Sequence, residues 1–261
     1  MTSTTPQFTA VTRERHTGRK WQRPSGYGFA AKDALAPIVG AELARAAPAL
    51  PLAFLHEGGR FVLVAVLSLT PGHNMLVGAD GRWLGYYIPA CFRSYPFRLF
   101  PTKETGRLVL CIEADGGVGN AGEDFFDQKN NLTPRVKKIF DFLSEYERNR
   151  QATDVAVSAL AEAGVIRPWP IRIEAGNDKR KPAGLHRIDE AAFNALSDDV
   201  FVKLRKNLAL PIAYAQMLSA AHINVFEQLA RGQLRPKPAA GFPESLDGLF
   251  GMSSGDTIKF P

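Results

Sequence analysis

Residues 78–100, GADGRWLGYYIPACFRSYPFRLF, hold seven aromatic side chains and three arginines around a central Ile88-Pro89 pair. Proline lacks a backbone donor and restricts the residue before it, so one continuous helix is excluded here. Aromatic rings bury the largest apolar areas, while Tyr hydroxyls, Trp N–H and guanidinium groups need polar partners once buried. We therefore expect this aromatic segment to be either a hub of the core or the wall of a binding cleft.

The composition is that of a globular protein. The chain has 261 residues, of which 45% are hydrophobic and 22% are charged, values typical of a soluble protein with an ordinary core. The formal net charge is +6, but five arginine or lysine residues and one glutamate lie within residues 1–28. The rest of the chain is nearly balanced, so nucleic acid is not expected as a partner.

Three regions are predicted along the chain. Residues 1–28 form a flexible basic arm, residues 29–232 a single α+β domain, and residues 233–261 a weakly structured tail rich in proline and glycine. The arm is either a solvated tail or a contact for an acidic partner, and the sequence leaves both open.

A cytoplasmic protein without a membrane span is expected. The longest apolar run, FVLVAVL at residues 61–67, is too short to cross a bilayer and suits a buried strand. The N-terminus lacks the apolar core of a secretory signal. Cys91 and Cys111 lie in apolar surroundings without a pairing pattern, as free thiols in a reducing compartment would.

The first half of the chain is predicted to be mostly antiparallel sheet. Turn signals at Gly58-Gly59 and Asp80-Gly81 favour two hairpins. The predicted strands are residues 52–55, 60–69, 74–77, 82–88 and 107–113.

The second half is predicted to be mainly helical. After a mobile loop over residues 114–131, apolar spacings of three and four predict one long helix or two over residues 133–163. Residues 171–174 and 185–188 form a hairpin with a basic tip at residues 179–181, and helices follow Asp189, Ser197 and Pro211. The predicted fold is α+β, an antiparallel sheet packed against a long helix and a C-terminal helical group.

No cofactor or metal site is predicted. Gly117 to Gly122 match GxGxxG, but the acids that follow would repel a pyrophosphate, and no helix opens there. The acidic side chains of the same loop lack the spacing of a calcium loop. The histidines form no HxH, HxxxH or HExxH cluster, and no nucleophile elbow or P-loop occurs.

The candidate ligand-binding residues are Trp83, Tyr87, Arg93 and Tyr95. A guanidinium fork and a phenol between aromatic walls would grip the carboxylate of a small or peptide-like ligand. The alternative is that the rings are core and the arginines tie down loop carbonyls. Both interpretations stay open at this stage.

The chain resembles the bacterial SapC family. The resemblance covers about residues 33–230 and rests on five stretches. These are GRW…YIPA…RxYPF (residues 81–97), GRLVLCI (106–112), FLxxYE…RQAT (142–153), GLHRIDEAAFNAL (184–196) and ALPIAYAQ (209–216).

The resemblance implies an accessory role and no catalytic residues. The family takes its name from a protein associated with a bacterial surface layer, and its members resemble proteins encoded near outer-membrane receptors and flavin-dependent halogenase-like enzymes. We therefore expect a non-catalytic binding or accessory protein of an envelope, uptake or surface-layer system. The alternative is an enzyme acting on a small carboxylate, amino acid or peptide-like substrate.

Overall fold

The computed structural model describes residues 7–102, 106–114, 117–171 and 184–230. The predicted tail over residues 233–261 and the basic tip at residues 179–181 lie outside these ranges. The described strands are β1 (Phe8–Ala10), β2 (Lys20–Trp21), β3 (Leu35–Pro37), β4 (Leu52–Glu57), β5 (Arg60–Val66), β6 (Phe97–Pro101), β7 (Leu108–Glu113), β8 (Val118–Gly119), β9 (Glu123–Asp124), β10 (Ile166–Pro168) and β11 (Leu185–Ile188).

The described part of the chain contains eight α-helices, and the longer ones lie in its second half. They are α1 (Arg13–His16), α2 (Leu43–Ala46), α3 (Ala90–Arg93), α4 (Pro134–Glu162), α5 (Glu190–Asn194), α6 (Asp198–Lys206), α7 (Ala209–Ser219) and α8 (Ile223–Ala230), with 3-10 turns at Gly28–Ala30, Gly40–Glu42 and Ala220–His222. The described strands pair antiparallel throughout. The predicted α+β fold, with antiparallel sheet, a long helix and C-terminal helices, is confirmed.

The chain divides into two compact units. Unit 1 takes residues 1–25 and 92–148, and unit 2 takes residues 26–91 and 149–261. The single domain predicted over residues 29–232 and the tail predicted after it stay predictions.

Unit 2 is built on a five-stranded sheet in the order β10-β11-β4-β5-β3. Its centre is the β4–β5 hairpin, paired from Leu52 opposite Ala65 to Glu57 opposite Arg60. Gly58 and Gly59 close the hairpin with φ of 57° and 79°, a backbone conformation that glycine adopts without strain. The predicted Gly-Gly hairpin is confirmed.

α4 confirms the predicted long helix as one continuous element of 29 residues. Thr133 Oγ1 accepts the N–H of Val136, and Pro134 takes the first helical position, where its missing donor costs nothing. The helix residues up to Arg148 belong to unit 1 and those from Asn149 belong to unit 2.

Unit 1 contains two three-stranded sheets, in the orders β1-β7-β6 and β8-β2-β9. β1, α1 and β2 lie within the residues predicted to be a flexible arm, so the structure differs from the sequence expectation there. The physical reason is burial: Trp21 is 1% exposed and meets Phe97 edge-on at 4.9 Å, and His16 contacts the ring of Phe125 at 4.8 Å.

The described part of residues 114–131 is not an open loop. β8 and β9 within it pair with β2, which places Lys20 opposite both Gly119 and Asp124. The prediction of a mobile loop was wrong in this region, because strands of two residues show no alternation and their partner lies far back in the chain.

The predicted strand over residues 82–88 was also wrong. The chain pairs there at a single bridge, Val77 with Trp83, although the turn at Asp80-Gly81 does form, with Gly78 N–H donating to Arg82 O at 2.8 Å. The reason is that the partner stretch uses its N–H groups elsewhere: Leu76 N–H donates to Asn74 Oδ1 at 3.0 Å, and Asn74 N–H donates to Ala31 O at 2.8 Å.

The C-terminal helical group is anchored on the sheet of unit 2. Asp189 Oδ1 accepts the N–H of Ala192 at 3.2 Å, as predicted for the start of a short helix. β11 pairs with β10 and β4, whereas residues 172–174 of its predicted partner lie outside the described ranges. Ser219 Oγ accepts the N–H of Leu52 at 3.0 Å and thereby fixes α7 against β4.

Within the described ranges, no helix taken singly has the length and apolar character needed to cross a bilayer. Asp198–Lys206 and Ala209–Phe226 reach that length and character only when joined across a bend of 96°.

Candidate functional site

The aromatic segment contributes two buried rings to unit 2. Trp83 meets the ring of Tyr27 edge-on, with centroids 5.6 Å apart. The hydroxyl of Tyr87 donates to Oε2 of Glu42 at 2.7 Å. Tyr86, its neighbour in the chain, is 83% exposed. Trp83 and Tyr87, the two rings of this unit predicted as hub or cleft wall, are therefore core residues. Tyr87 also forms a buried hydrogen bond through its hydroxyl.

Glu42 lies at the centre of this polar contact and is 4% exposed. Its Oε1 accepts the N–H of Val39 at 3.0 Å, the glutamate half of a capping box at the start of the Gly40–Glu42 turn. Its Oε2 accepts both the Tyr87 hydroxyl and the N–H of Ala90, the latter at 2.6 Å. A buried carboxylate is stable only when donors replace the lost water, and both oxygens have such donors here.

The second half of α4 ties down the same turn. Thr153 Oγ1 accepts the N–H of Gly40 at 2.8 Å, and its own hydroxyl donates to Asn149 O at 2.6 Å. Thr153 and Asn149 are both buried. The turn that carries Glu42 is thus held both by the YIPA stretch and by the RQAT stretch.

A family model described as SapC matches residues 11–226. The chain belongs to the SapC family. The match starts within the predicted arm, in the part where the structure has α1 and β2. No curated protein and no solved structure matches the chain.

Two of the stretches that carry the SapC resemblance meet at the Gly40–Glu42 turn. Tyr87 and Ala90 belong to the first, and Thr153 belongs to the second. Glu42 itself lies outside the recognised stretches, and sequence reasoning missed it. The signal that could have drawn attention to it is a single acid inside the apolar stretch IVGAELARAA, at residues 38–47.

Arg93 and Tyr95 belong to unit 1, whereas Trp83 and Tyr87 belong to unit 2. Arg93 ends α3 and is half-buried, and the half-buried Tyr95 precedes Pro96 across a cis peptide bond. Their assignment to one ligand-binding site with Trp83 and Tyr87 stays a prediction.

Titratable groups in unit 1 are perturbed mainly by burial. Loss of water lowers the pKa of His16 and raises the pKa of Glu123, although Arg135, 3.0 Å from the Glu123 carboxylate, acts in the opposite direction on the latter. Burial also raises the pKa of the Cys111 thiol and so favours its protonated form. Cys91 and Cys111 are both free thiols.

No group of three or more His, Cys, Asp or Glu side chains suited to a metal ion occurs in the part of the chain that the structure describes. A groove of about 350 Å³ does open in unit 2, beside β10 and β11. Arg167, Arg187, Asp189, Glu190, Gln216 and Met217 are among its lining residues. This β10–β11 groove was not predicted, because it depends on a strand register that the sequence does not reveal.

Proposed function

We propose that the protein is a non-catalytic binding protein that serves a bacterial envelope, uptake or surface-layer system from the cytoplasm. Membership of the SapC family supports the assignment to such a system, because the family resemblance implies an association with a bacterial surface layer. The free thiols Cys91 and Cys111 are compatible with a reducing compartment. Its ligand is a small carboxylate or a peptide.

The observation that carries the non-catalytic role is the bonding of Glu42. A general acid or base must come within hydrogen-bond reach of the proton that it moves. Glu42 is buried, and both of its oxygens already accept hydrogen bonds from its own unit. A substrate would have to displace Tyr87 or a backbone N–H to reach it. Tyr87 and Thr153, the polar side chains of the family stretches that bond this turn, therefore serve the fold.

The test compares two neighbouring tyrosines. Tyr87→Phe removes a donor to the buried carboxylate, so we expect the free energy of unfolding to fall by about 1–3 kcal/mol. Tyr86→Phe is the matched control, because Tyr86 is 83% exposed, and we expect a change within about 0.5 kcal/mol. Urea unfolding of both variants, followed by circular dichroism, gives the two values.

Loss of an enzymatic activity in these variants would contradict the proposed function. If the unmodified protein converts a substrate, and Tyr87→Phe or Glu42→Gln abolishes that turnover while the fold keeps its stability, then Glu42 is catalytic and the proposed function is wrong.

A further inference from the structure

Two arginines face each other across the β10–β11 pair. Arg167 lies directly opposite Arg187 in the antiparallel register. Side chains at opposite positions project from the same face of a sheet, with Cβ atoms about 4.5–5.5 Å apart, and like charges placed in this way repel. The neighbouring opposite pair, Ile166 with Ile188, is buried, which fixes the register that brings the two guanidinium groups together.

Among the residues that the structure describes, neither arginine takes part in an ion pair. Arg167 Nη1 has a long contact of 3.4 Å to Ile166 O. Guanidinium groups present planar sets of donors that match a carboxylate, so two of them at opposite positions are suited to binding one from two sides.

The floor of the groove is fixed in position. Gln216 is buried, its Oε1 accepts the N–H of Ile188 at 2.9 Å, and its Nε2 donates to Leu52 O at 3.2 Å. Met217 and Ala220 add apolar surface beside it. The groove thus combines a rigid, partly apolar floor with charged walls, and its 350 Å³ is near the lower end of the roughly 300–1,000 Å³ of small-molecule sites.

Two acids also line the groove. Asp189 uses Oδ1 for the N–H of Ala192, and Glu190 is exposed at the start of α5. Within the described part of the chain, neither acid forms an ion pair with the arginines of the same groove. These acids would repel a phosphate dianion, whereas an ammonium group would be attracted to them.

We propose that the β10–β11 groove binds a small zwitterion, a free amino acid or a dipeptide. Its carboxylate lies between Arg167 and Arg187, and its ammonium group faces Asp189 and Glu190. This inference rests on the proposed binding function, and it places the ligand in the groove rather than at Glu42 and its donors Tyr87 and Ala90.

Isothermal titration calorimetry of the full chain tests the inference. The probes are alanine, dialanine, N-acetyl-dialanine, dialanine amide and inorganic phosphate. We expect alanine or dialanine to bind, and we expect loss of the ammonium or of the carboxylate to weaken binding by about tenfold or more. Arg187→Gln and Arg167→Gln should each weaken binding to a similar extent. Arg205→Gln, which removes an exposed arginine of α6 outside the groove, should leave it unchanged.

Three results overturn the inference. Phosphate binding as tightly as dialanine would make the groove a general anion site. Binding of dialanine that survives both groove substitutions would place the ligand elsewhere, and the proposed binding function would stand. If neither alanine nor dialanine binds, a small zwitterion is excluded as the ligand of the groove. Thermal unfolding of each variant confirms that lost binding is not lost folding, and the tyrosine comparison judges the proposed function separately.

Discussion

Glu42 marks the limit of sequence reasoning at the scale of single residues. Nothing in the stretch GAELARAA indicates burial of its acid, yet the structure buries Glu42 and bonds it to Tyr87, 45 positions further along the chain. Desolvating a carboxylate costs several kcal/mol unless donors replace the lost water, so the position depends on partners that no local pattern reveals. The burial of Trp83 and Tyr87, in contrast, follows from their apolar area, and the sequence predicted it as one of two alternatives.

His16 provides a prediction about pH at the same scale. Its pKa is lowered from 6.5, first by burial and further by Arg15 and Arg19, against an opposing hydrogen bond with Thr12. As pH falls, the unfolded chain therefore takes up a proton before the folded one does. The stability that neutral His16 contributes is complete above pH 6.5 and is lost as pH falls through the lower, folded pKa.

Urea unfolding at a series of pH values between about 5 and 8 measures this dependence. The comparison with His16→Gln isolates the histidine from other groups, including Glu123, whose pKa is shifted upward. We expect the stability of the unmodified protein to decline more steeply on acidification than that of the variant. Parallel profiles would show that His16 is not the responsible group.

At the scale of elements, the sequence predicted those that are long and those whose strands are joined by a short turn. α4 shows its helical spacing over 29 residues, and the β4–β5 hairpin has its own Gly-Gly turn. β2, β8 and β9 have two residues each, too few for alternation, and they pair across roughly a hundred positions of chain. Their existence depends on packing around Trp21, which local propensity does not encode.

Gly122 offers a test of this small sheet. Its φ is +109°, and the carbonyl oxygen of Trp21 occupies the space that a Cβ at this position would need. Gly122→Ala should therefore lower the free energy of unfolding by about 2 kcal/mol or more. Gly119→Ala is the matched control, because no atom of the described residues, its chain neighbours apart, lies within 4 Å of its Cβ position, and we expect a change within about 1 kcal/mol. Equal effects of the two substitutions in urea unfolding would show that β2 does not approach Gly122 closely.

At the scale of the whole molecule, composition and pattern were enough for the α+β class but not for the division into units. Unit 1 combines residues 1–25 with residues 92–148, so an N-terminal stretch that resembles a tail belongs to a compact body. The candidate site, like the division into units, could not be predicted from composition and pattern. The predicted residues fall in both units, and the β10–β11 groove exists only because the register places Arg167 opposite Arg187.

The separation of scaffold and binding site can be read directly from amide chemical shifts of the full chain during titration with dialanine. We expect shifts to change in β10, in β11, at residues 189–191 and at residues 216–220, while Glu42, Tyr87 and Ala90 stay unperturbed. Changes concentrated at residues 83–95, with no change in the groove, would contradict the structural role given to Trp83 and Tyr87 and return the ligand to the site first predicted from the sequence.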